Sequence, residues 1–245
     1  MTRGFLYEGV ALELRKRIES GVFPPGTRIS SEAELIKEFR VSAITVRRAI
    51  RGLMLEGLLR GRQGLGVFVS DGRRVVRSLG GDFKTSIGDE IRRAGSEPGI
   101  REVSMTLEPA DETLARLLHL KRGALVYRHD KLVLADGEPV GLDISFLPRA
   151  LGDAMRADLA REFVFPLAIS RGIPIDHIDF TIEGGAVSDQ HRSLLGLPLG
   201  FPLLIVDYTP ISPVGAPILT GRALSRYDRF SYAFRVHLQD GQSQR

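Results

Sequence analysis

The sequence predicts an α+β chain in two unequal parts, a small helical unit closed by a β-hairpin and a larger mixed sheet with helices packed on it. Three observations carry this. Between residues 7 and 55, apolar side chains recur at the three-and-four spacing of amphipathic helices. Beyond residue 100, short alternating apolar and polar runs take over, punctuated by Gly, Pro and Asp. The pattern Leu117-Leu118-His119-Leu120-x-x-Gly123 returns 77 residues later as Leu194-Leu195-Gly196-Leu197-x-x-Gly200, each copy leading from a helix into an apolar strand. The larger part therefore reads as a duplicated unit, built as one mixed sheet with a pocket between its halves.

Taken in order, Tyr7 to Ser20 is the first helix, with Val10, Leu14 and Ile18 inward and Gly21 and Pro24-Pro25-Gly26 as its stop. Ser31-Glu32-Ala33-Glu34 has the form of a capping box and opens a second helix through Phe39. Residues Arg40 to Ser42 make a short turn, and Ser42 is an N-cap for a third helix whose buried face is Val46, Ala49, Ile50 and Leu53. Ile44, Arg47, Arg48 and Arg51 then fall on the opposite face. Gly57 ends this helix, and Leu58-Leu59 and Val67-Phe68-Val69 read as short strands around Gly64-Leu65-Gly66.

Two helices joined by a tight turn and followed by a hairpin form a winged helix-turn-helix, whose second helix suits the major groove of DNA. Three arginines on its outer face supply the charge. Thr45 and Arg47 are expected to read bases or nearby phosphates, and Arg48 and Arg51 to contact phosphates. Glycines at the wing tip permit close approach to a sugar-phosphate wall, with Arg62 placed to enter the minor groove.

Together these residues resemble the GntR family of bacterial transcription regulators over about residues 5 to 70. The matching pieces are Arg17-Ile18-Glu19-Ser20-Gly21, Pro25-Gly26-Thr27-Arg28, Ser31-Glu32-x-Glu34-Leu35, Val41-Ser42, Thr45-Val46-Arg47, Glu56-Gly57-Leu58 and Arg62-Gln63-Gly64-x-Gly66. The resemblance implies a DNA-contacting set of Arg28, Ser31, Ser42, Ile44, Thr45, Arg47, Arg48, Arg51, Arg62, Gln63, Gly64 and Gly66. Two departures stand out. Ala33 replaces a frequent arginine or asparagine, and Ala43 replaces a usual arginine, so the operator is expected to differ from the commonest one in the family.

Composition agrees. A length of 245 residues allows one large or two ordinary domains. The overall charge of +4 hides an asymmetry. Residues 1 to 78 hold 15 Lys or Arg against 8 Asp or Glu, while the remainder holds 19 against 22. The basic end is where phosphates would bind, and the mildly acidic end should avoid DNA. The absence of cysteine excludes disulfides and thiolate metal sites and argues for a reducing compartment. No stretch approaches the 18 apolar residues of a membrane span, and no signal-peptide run opens the chain. A soluble cytoplasmic protein acting at the nucleoid, without a membrane partner, is expected.

The expected division is a DNA-binding unit over 1–70, a linker over 71–82 without a strong rigid element, a second domain over 83–238 and a tail over 239–245. Val75 to Ser78 could form a short strand within the linker. In the second domain, strands are expected at Val103 to Leu107, Ala124 to Leu134, Pro139 to Leu147, Ile178 to Val187, Pro202 to Thr209, Pro217 to Ser225 and Phe230 to His237. Helices are expected at Asp111 to His119, Asp153 to Ala160, Phe165 to Arg171 and Asp189 to Leu195.

This half resembles the UTRA effector-binding domain of the HutC-type branch of the same family, over about residues 83 to 238. The motifs are Ala135-Asp136-Gly137-Glu138-Pro139, Ser145-x-Leu147-Pro148, Leu195-Gly196-Leu197-Pro198, Gly215-x-Pro217 and Arg226-x-Asp228-Arg229-Phe230. The resemblance implies a chorismate-lyase-like fold, a small-molecule sensor and a homodimer on palindromic operator DNA, most simply a repressor of metabolic genes released by its ligand. Residues implied for the effector pocket are Lys131, Asp143, Ser145, Phe163, Thr220, Arg222 and Arg226. Relatives that bind sugar phosphates tend to place an arginine pair on the first hairpin strand. Here Lys131 and Val133 stand at those positions, Phe163 stands for a serine, and Leu219 and Ser225 stand for an acid and a tyrosine. A phosphate dianion needs charge-assisted donors, so a smaller or more apolar effector with one cationic or hydroxylated end is expected.

No catalytic, metal or cofactor site is expected, and no enzyme. His119, His129, His177, His191 and His237 are scattered without paired metal spacing, and there is no G-x-S-x-G elbow or P-loop. Asp176, His177 and Asp179 read as a solvated strand mouth. Two other readings are a lyase-like or carrier domain tethered to DNA, which a retained but unconverted ligand would exclude, and a nucleoid-packaging protein, for which a pocket would have no use.

Overall fold

The computed structural model describes residues 4–62, 64–79 and 86–234. Helices α1 (Gly4–Glu19), α2 (Glu32–Phe39) and α3 (Ala43–Leu55) share one core with Val10, Leu14, Leu35, Val46, Ala49 and Leu53 fully inside. The local signals act as expected. The Ser31 hydroxyl accepts from the Glu34 amide, and the Glu34 carboxylate accepts from the Ser31 amide at 2.7 Å. α2 stops where Arg40 turns left-handed at φ 52°, and Ser42 caps α3. Strands β1 (Leu59–Arg62) and β2 (Gly66–Val69) form the antiparallel wing, and Leu59 and Val69 close the core beneath it.

The segment after the wing carries the short strand read at Val75 to Ser78, and it corrects the expectation that the linker lacks a rigid element: β3 (Val75–Ser78) pairs in parallel with β10 (Phe230–Ala233), and buried Val75 faces buried Phe230. Arg77 donates to Glu90 at 2.8 Å, and Glu90 also accepts from the Ser78 amide. Glu90 sits on α4 (Ile87–Arg93), a helix with a Ser86/Asp89 capping box that lay unread in the sequence. Seven residues with two inward isoleucines are too few to show a helical period. Residues 80–85 and the tail at 239–245 lie outside the described residues.

The second unit is a six-stranded sheet in the order β4-β5-β6-β9-β8-β7: β4 (Pro98–Pro109), β5 (Leu125–Ala135), β6 (Glu138–Pro148), β7 (His177–Ala186), β8 (Pro202–Ile211) and β9 (Thr220–Arg226). Every pairing in it is antiparallel, and among the described residues the parallel element is confined to β3 with β10. The helices are α5 (Glu112–Leu117), α6 (Arg149–Leu159), α7 (Val164–Ser170) and α8 (Asp189–Leu195). The last strand ends at Ala233, short of the expected His237, and residues from 235 lie outside the described residues.

The repeat read in the sequence is a repeat of backbone conformation. His119 and Gly196 are both left-handed, at φ 52° and 64°, and Gly123 and Gly200 both sit at φ 80°. The Gly123 amide donates to the Ala110 carbonyl as the Gly200 amide donates to the Val187 carbonyl. Each unit is strand-helix-strand-strand, and the two join through β6 and β9 at the sheet centre. Because successive strand residues alternate faces, one face carries Tyr127, Leu147 and Tyr208 under α6 and α7. The other carries Leu132, Leu142 and Leu224 with α8.

Candidate nucleic-acid interface and buried cavity

The outer face of α3 is solvent-facing at its first turns. Ile44 is 77% exposed, and the Ser42 and Thr45 hydroxyls share a 2.9 Å hydrogen bond at the N-terminus. Arg47 is exposed and donates to Glu32 at 2.8 Å, so α2 fixes its direction. The Arg48 guanidinium lies 3.9 Å above the Tyr7 ring. Ser31 faces α2 as its cap. Arg28 lies against the wing, where a Cβ on Gly66 would collide with its guanidinium, and Gly66 takes φ 109°. Gly64, at φ 74°, and Leu65 form the wing tip. Leu65 is 58% exposed and escaped the sequence reading, because one leucine between two glycines carries no periodicity. Gln63 lies outside the described residues.

Two residues of the expected DNA-contacting set, Arg51 for phosphates and Arg62 for the minor groove, are engaged by the sheet unit. Arg51 donates to the Leu199 carbonyl of the sheet unit, and Arg62 pairs with Glu138 at the β5–β6 turn while stacking 4.4 Å over Phe68. In this arrangement neither side chain is free, and a contact of either with DNA would first have to break these bonds. A nearby contact strengthens it: the Tyr227 hydroxyl donates to the Leu55 carbonyl at 2.7 Å, and Leu55 packs into the sheet core. Arg60 is buried and pairs with Asp71 at 3.1 Å, and Glu138 also lies 3.9 Å from Arg229. A single sequence window could not show the contacts to the sheet unit, since Arg51 and Leu199, Arg62 and Glu138, and Leu55 and Tyr227 are each over 70 residues apart.

On the α6–α7 face of the sheet a cavity of about 80 Å³ opens between β5, β6, β8, β9, α7 and β10. Its walls include Leu79, Val133, Phe163, Phe165, Phe180 and Phe230, and its polar end is Lys131, Asp143 and Tyr208. Lys131 and Tyr208 stand 77 residues apart, the spacing of the repeat, on β5 and β8. The Tyr208 hydroxyl donates to Asp143 Oδ1 at 2.8 Å. Asp143 Oδ2 is buried without a hydrogen bond, and the Lys131 ammonium reaches it only at 3.9 Å and the Glu162 carbonyl at 3.5 Å. Charge-assisted bonds are ordinarily about 2.7–2.9 Å, so this pair is stretched and both partners retain bonding capacity. Burial pushes the Lys131 ammonium below the usual lysine range and the Tyr208 hydroxyl well above the usual tyrosine range, with Asp143 adding to the latter. Ser145 is fully buried on the same face, its hydroxyl without a hydrogen-bond partner. Ser225 closes the opposite end by hydrogen bonding Tyr232 at 2.7 Å.

Thr220, Arg222 and Arg226 do not join this cavity, which corrects the expected pocket. Asp143 is paired across the ladder with Ala223, so Arg222 points to the other face. There Arg222 makes two 2.6 Å bonds to Asp207, and Thr220 bonds Thr209 at 2.9 Å. A broader, more polar cavity on that face includes both, and a second arginine on its wall, Arg128, is likewise held by two bonds to Asp130. Arg226 is buried and held by two bonds to Asp228. Lys131, Asp143 and Phe163 are the expected residues that the fold brings together, with Ser145 beneath them. Tyr208 was missed, being one tyrosine in an apolar run.

Among the described residues no helix is long and apolar enough to cross a membrane. Residues 6–69 match the model of bacterial regulatory proteins of the gntR family, and residues 93–231 match the UTRA domain. The chain is 26% identical over 236 residues to the HTH-type transcriptional repressor NagR of Bacillus subtilis, covering 96% of this chain and 95% of that protein. It is 28% identical over 204 residues to a histidine utilization repressor of Pseudomonas putida, covering 82% and 80%. The crystal structure of PhnF from Mycobacterium smegmatis superposes with a TM-score of 0.65 at 25% identity, covering 94% of this chain and all of that one. A helix-turn-helix with an exposed first turn, a glycine-tipped wing and a sheet domain of this topology thus meet in one chain, which belongs to the GntR family of regulators with a UTRA domain and is a DNA-binding regulator of transcription.

Proposed function

We propose that the protein is a cytoplasmic, homodimeric repressor of metabolic genes that leaves its operator when a small molecule fills the Lys131–Asp143 cavity. The supporting observation is that cavity, with a buried unpaired carboxylate oxygen, in the same chain as a DNA-reading helix. In this reading residues 1–70 bind DNA, 71–82 connect, and 83–238 sense. The DNA contacts are Ser42, Ile44, Thr45, Arg47 and Arg48 of the helix, Arg28 beside the wing and Gly64 and Gly66 at its tip, with Gln63 a further expected contact and Arg51 and Arg62 joining once they leave the sheet unit. Two recognition helices enter successive major grooves of a palindrome.

A ligand weakens DNA binding only through its differential affinity for the two arrangements of the winged helix, ordinarily about 1–3 kcal/mol, or about 5–150-fold. Operator DNA must weaken ligand binding by the same factor. A genome-wide footprint tests the reading. Protection of one or a few palindromes, beside metabolic genes whose substrates then release the protein in vitro, is the expected outcome. Uniform coverage, or a footprint unmoved by those substrates, would overturn it.

A further inference from the structure

We propose that the ligand of this cavity is a small apolar-bodied molecule of zero net charge, zwitterionic or hydroxylated, that donates to Asp143 Oδ2 and accepts from the Lys131 ammonium. The inference rests on the reading of the cavity as the effector site and names the chemistry that the site selects.

Three features of the polar end carry it. The orphaned Asp143 Oδ2 requires a donor, and leaving a buried acceptor unmade costs its desolvation. The Lys131 ammonium, buried to within 2% of full enclosure, has donors with no acceptor at ordinary distance among the described residues. A gap of 3.9 Å between Nζ and Oδ2 admits one oxygen within hydrogen-bonding reach of both, or an ammonium and carboxylate side by side. The polar end of the ligand must therefore both donate and accept.

Charge decides between classes. Among the described residues Lys131 and Asp143 cancel, and the other cation at the cavity wall, Arg77, is already paired with Glu90 at 2.8 Å. A monoanion would face Asp143, and a phosphate dianion would find one available cation among the described residues, in a site walled by Phe163, Phe165, Phe180 and Phe230. Buried charge without a partner is expensive, so a net-neutral guest is favoured over either. The walls supply the affinity by burying apolar area, and the polar end supplies selection.

The test uses the full-length protein and four probes with one phenyl body: L-phenylalanine, 2-phenylethanol, 3-phenylpropanoate and phenyl phosphate. Binding is followed by calorimetry and thermal shift, and operator release by fluorescence anisotropy. The zwitterion or the alcohol should bind about tenfold or more tighter than either anion, and the stronger of the two identifies the source of the donor. Asp143→Asn, an isostere, should invert the order toward 3-phenylpropanoate, while Lys131→Met should favour 2-phenylethylamine. Tighter binding of an anion to the wild-type protein, equal binding of all four, or no binding by either neutral probe would overturn the proposal. A neutral probe that binds, and is excluded by Phe163→Trp, yet leaves operator affinity unchanged would refute the effector reading while leaving the ligand class standing.

Discussion

Arg62 on the wing is paired with Glu138 at the β5–β6 turn, so a side chain suited to the minor groove is held by the sheet unit in the DNA-free molecule. Arg51 is tied to the Leu199 carbonyl on the same side, and Tyr227 fastens the end of α3. Binding DNA through Arg62 must first break a protein contact. Glu138→Gln should therefore raise operator affinity, by up to about tenfold, while lowering stability by about 1–3 kcal/mol, because Arg60 and Arg229 lose the same carboxylate. Anisotropy titrations and denaturant melts on one preparation check both signs. An unchanged or weaker operator affinity would show that the pair persists in the DNA complex.

The two arginines of α3 should behave differently. Arg47 is exposed and aimed by Glu32, so Arg47→Ala should cost about 1–3 kcal/mol at the specific site and little on random DNA. Arg51→Ala removes a contact that holds the module in its DNA-free position, so it should alter specific affinity less and the salt slope by about one or less. Salt titrations on operator and random duplexes separate the two.

Gly221 lies beneath the Tyr208 ring, and a Cβ there would run into the ring and its hydroxyl. Tyr208 is fully packed and bonded to Asp143, so it cannot yield without breaking that bond. Gly221→Ala should destabilise the protein by about 1–3 kcal/mol and abolish ligand response, whereas operator affinity stays near wild type. Unfolding curves and ligand titrations read the two effects.

His129 is fully buried beside Lys131, with Nδ1 unbonded and Nε2 at 3.2 Å from Glu102. Burial first, and then the Lys131 charge, hold its imidazole below the usual histidine range, against opposing pulls from Glu102 and Asp143. A depressed histidine means the unfolded chain binds more protons just below that range, so stability falls as pH drops through it. His129→Gln should flatten the dependence of melting temperature on pH between about 7 and 5 relative to wild type. An unaltered slope would place the acid sensitivity elsewhere.

The sequence by itself determined the helix-turn-helix, its caps, the wing and the duplicated strand-helix-strand-strand unit. These rest on local chemistry: Ser31 and Ser42 satisfy helix amides a few residues away, and glycines at 64, 66, 123 and 200 allow positive φ. It also placed Lys131 and Asp143 on neighbouring strands, since one hairpin sets their register. Only the tertiary structure decided which residues share a face. The Asp143–Ala223 pairing sends Arg222 to the opposite side, and a one-residue change in register would have reversed that result. Likewise only long-range packing could show β3 joined to β10, Tyr208 completing the polar end of the cavity, and Arg51 and Arg62 turned back onto the sheet unit. Each of these depends on partners far apart in the chain, where periodicity and spacing carry no information and burial, pairing and charge balance settle the outcome.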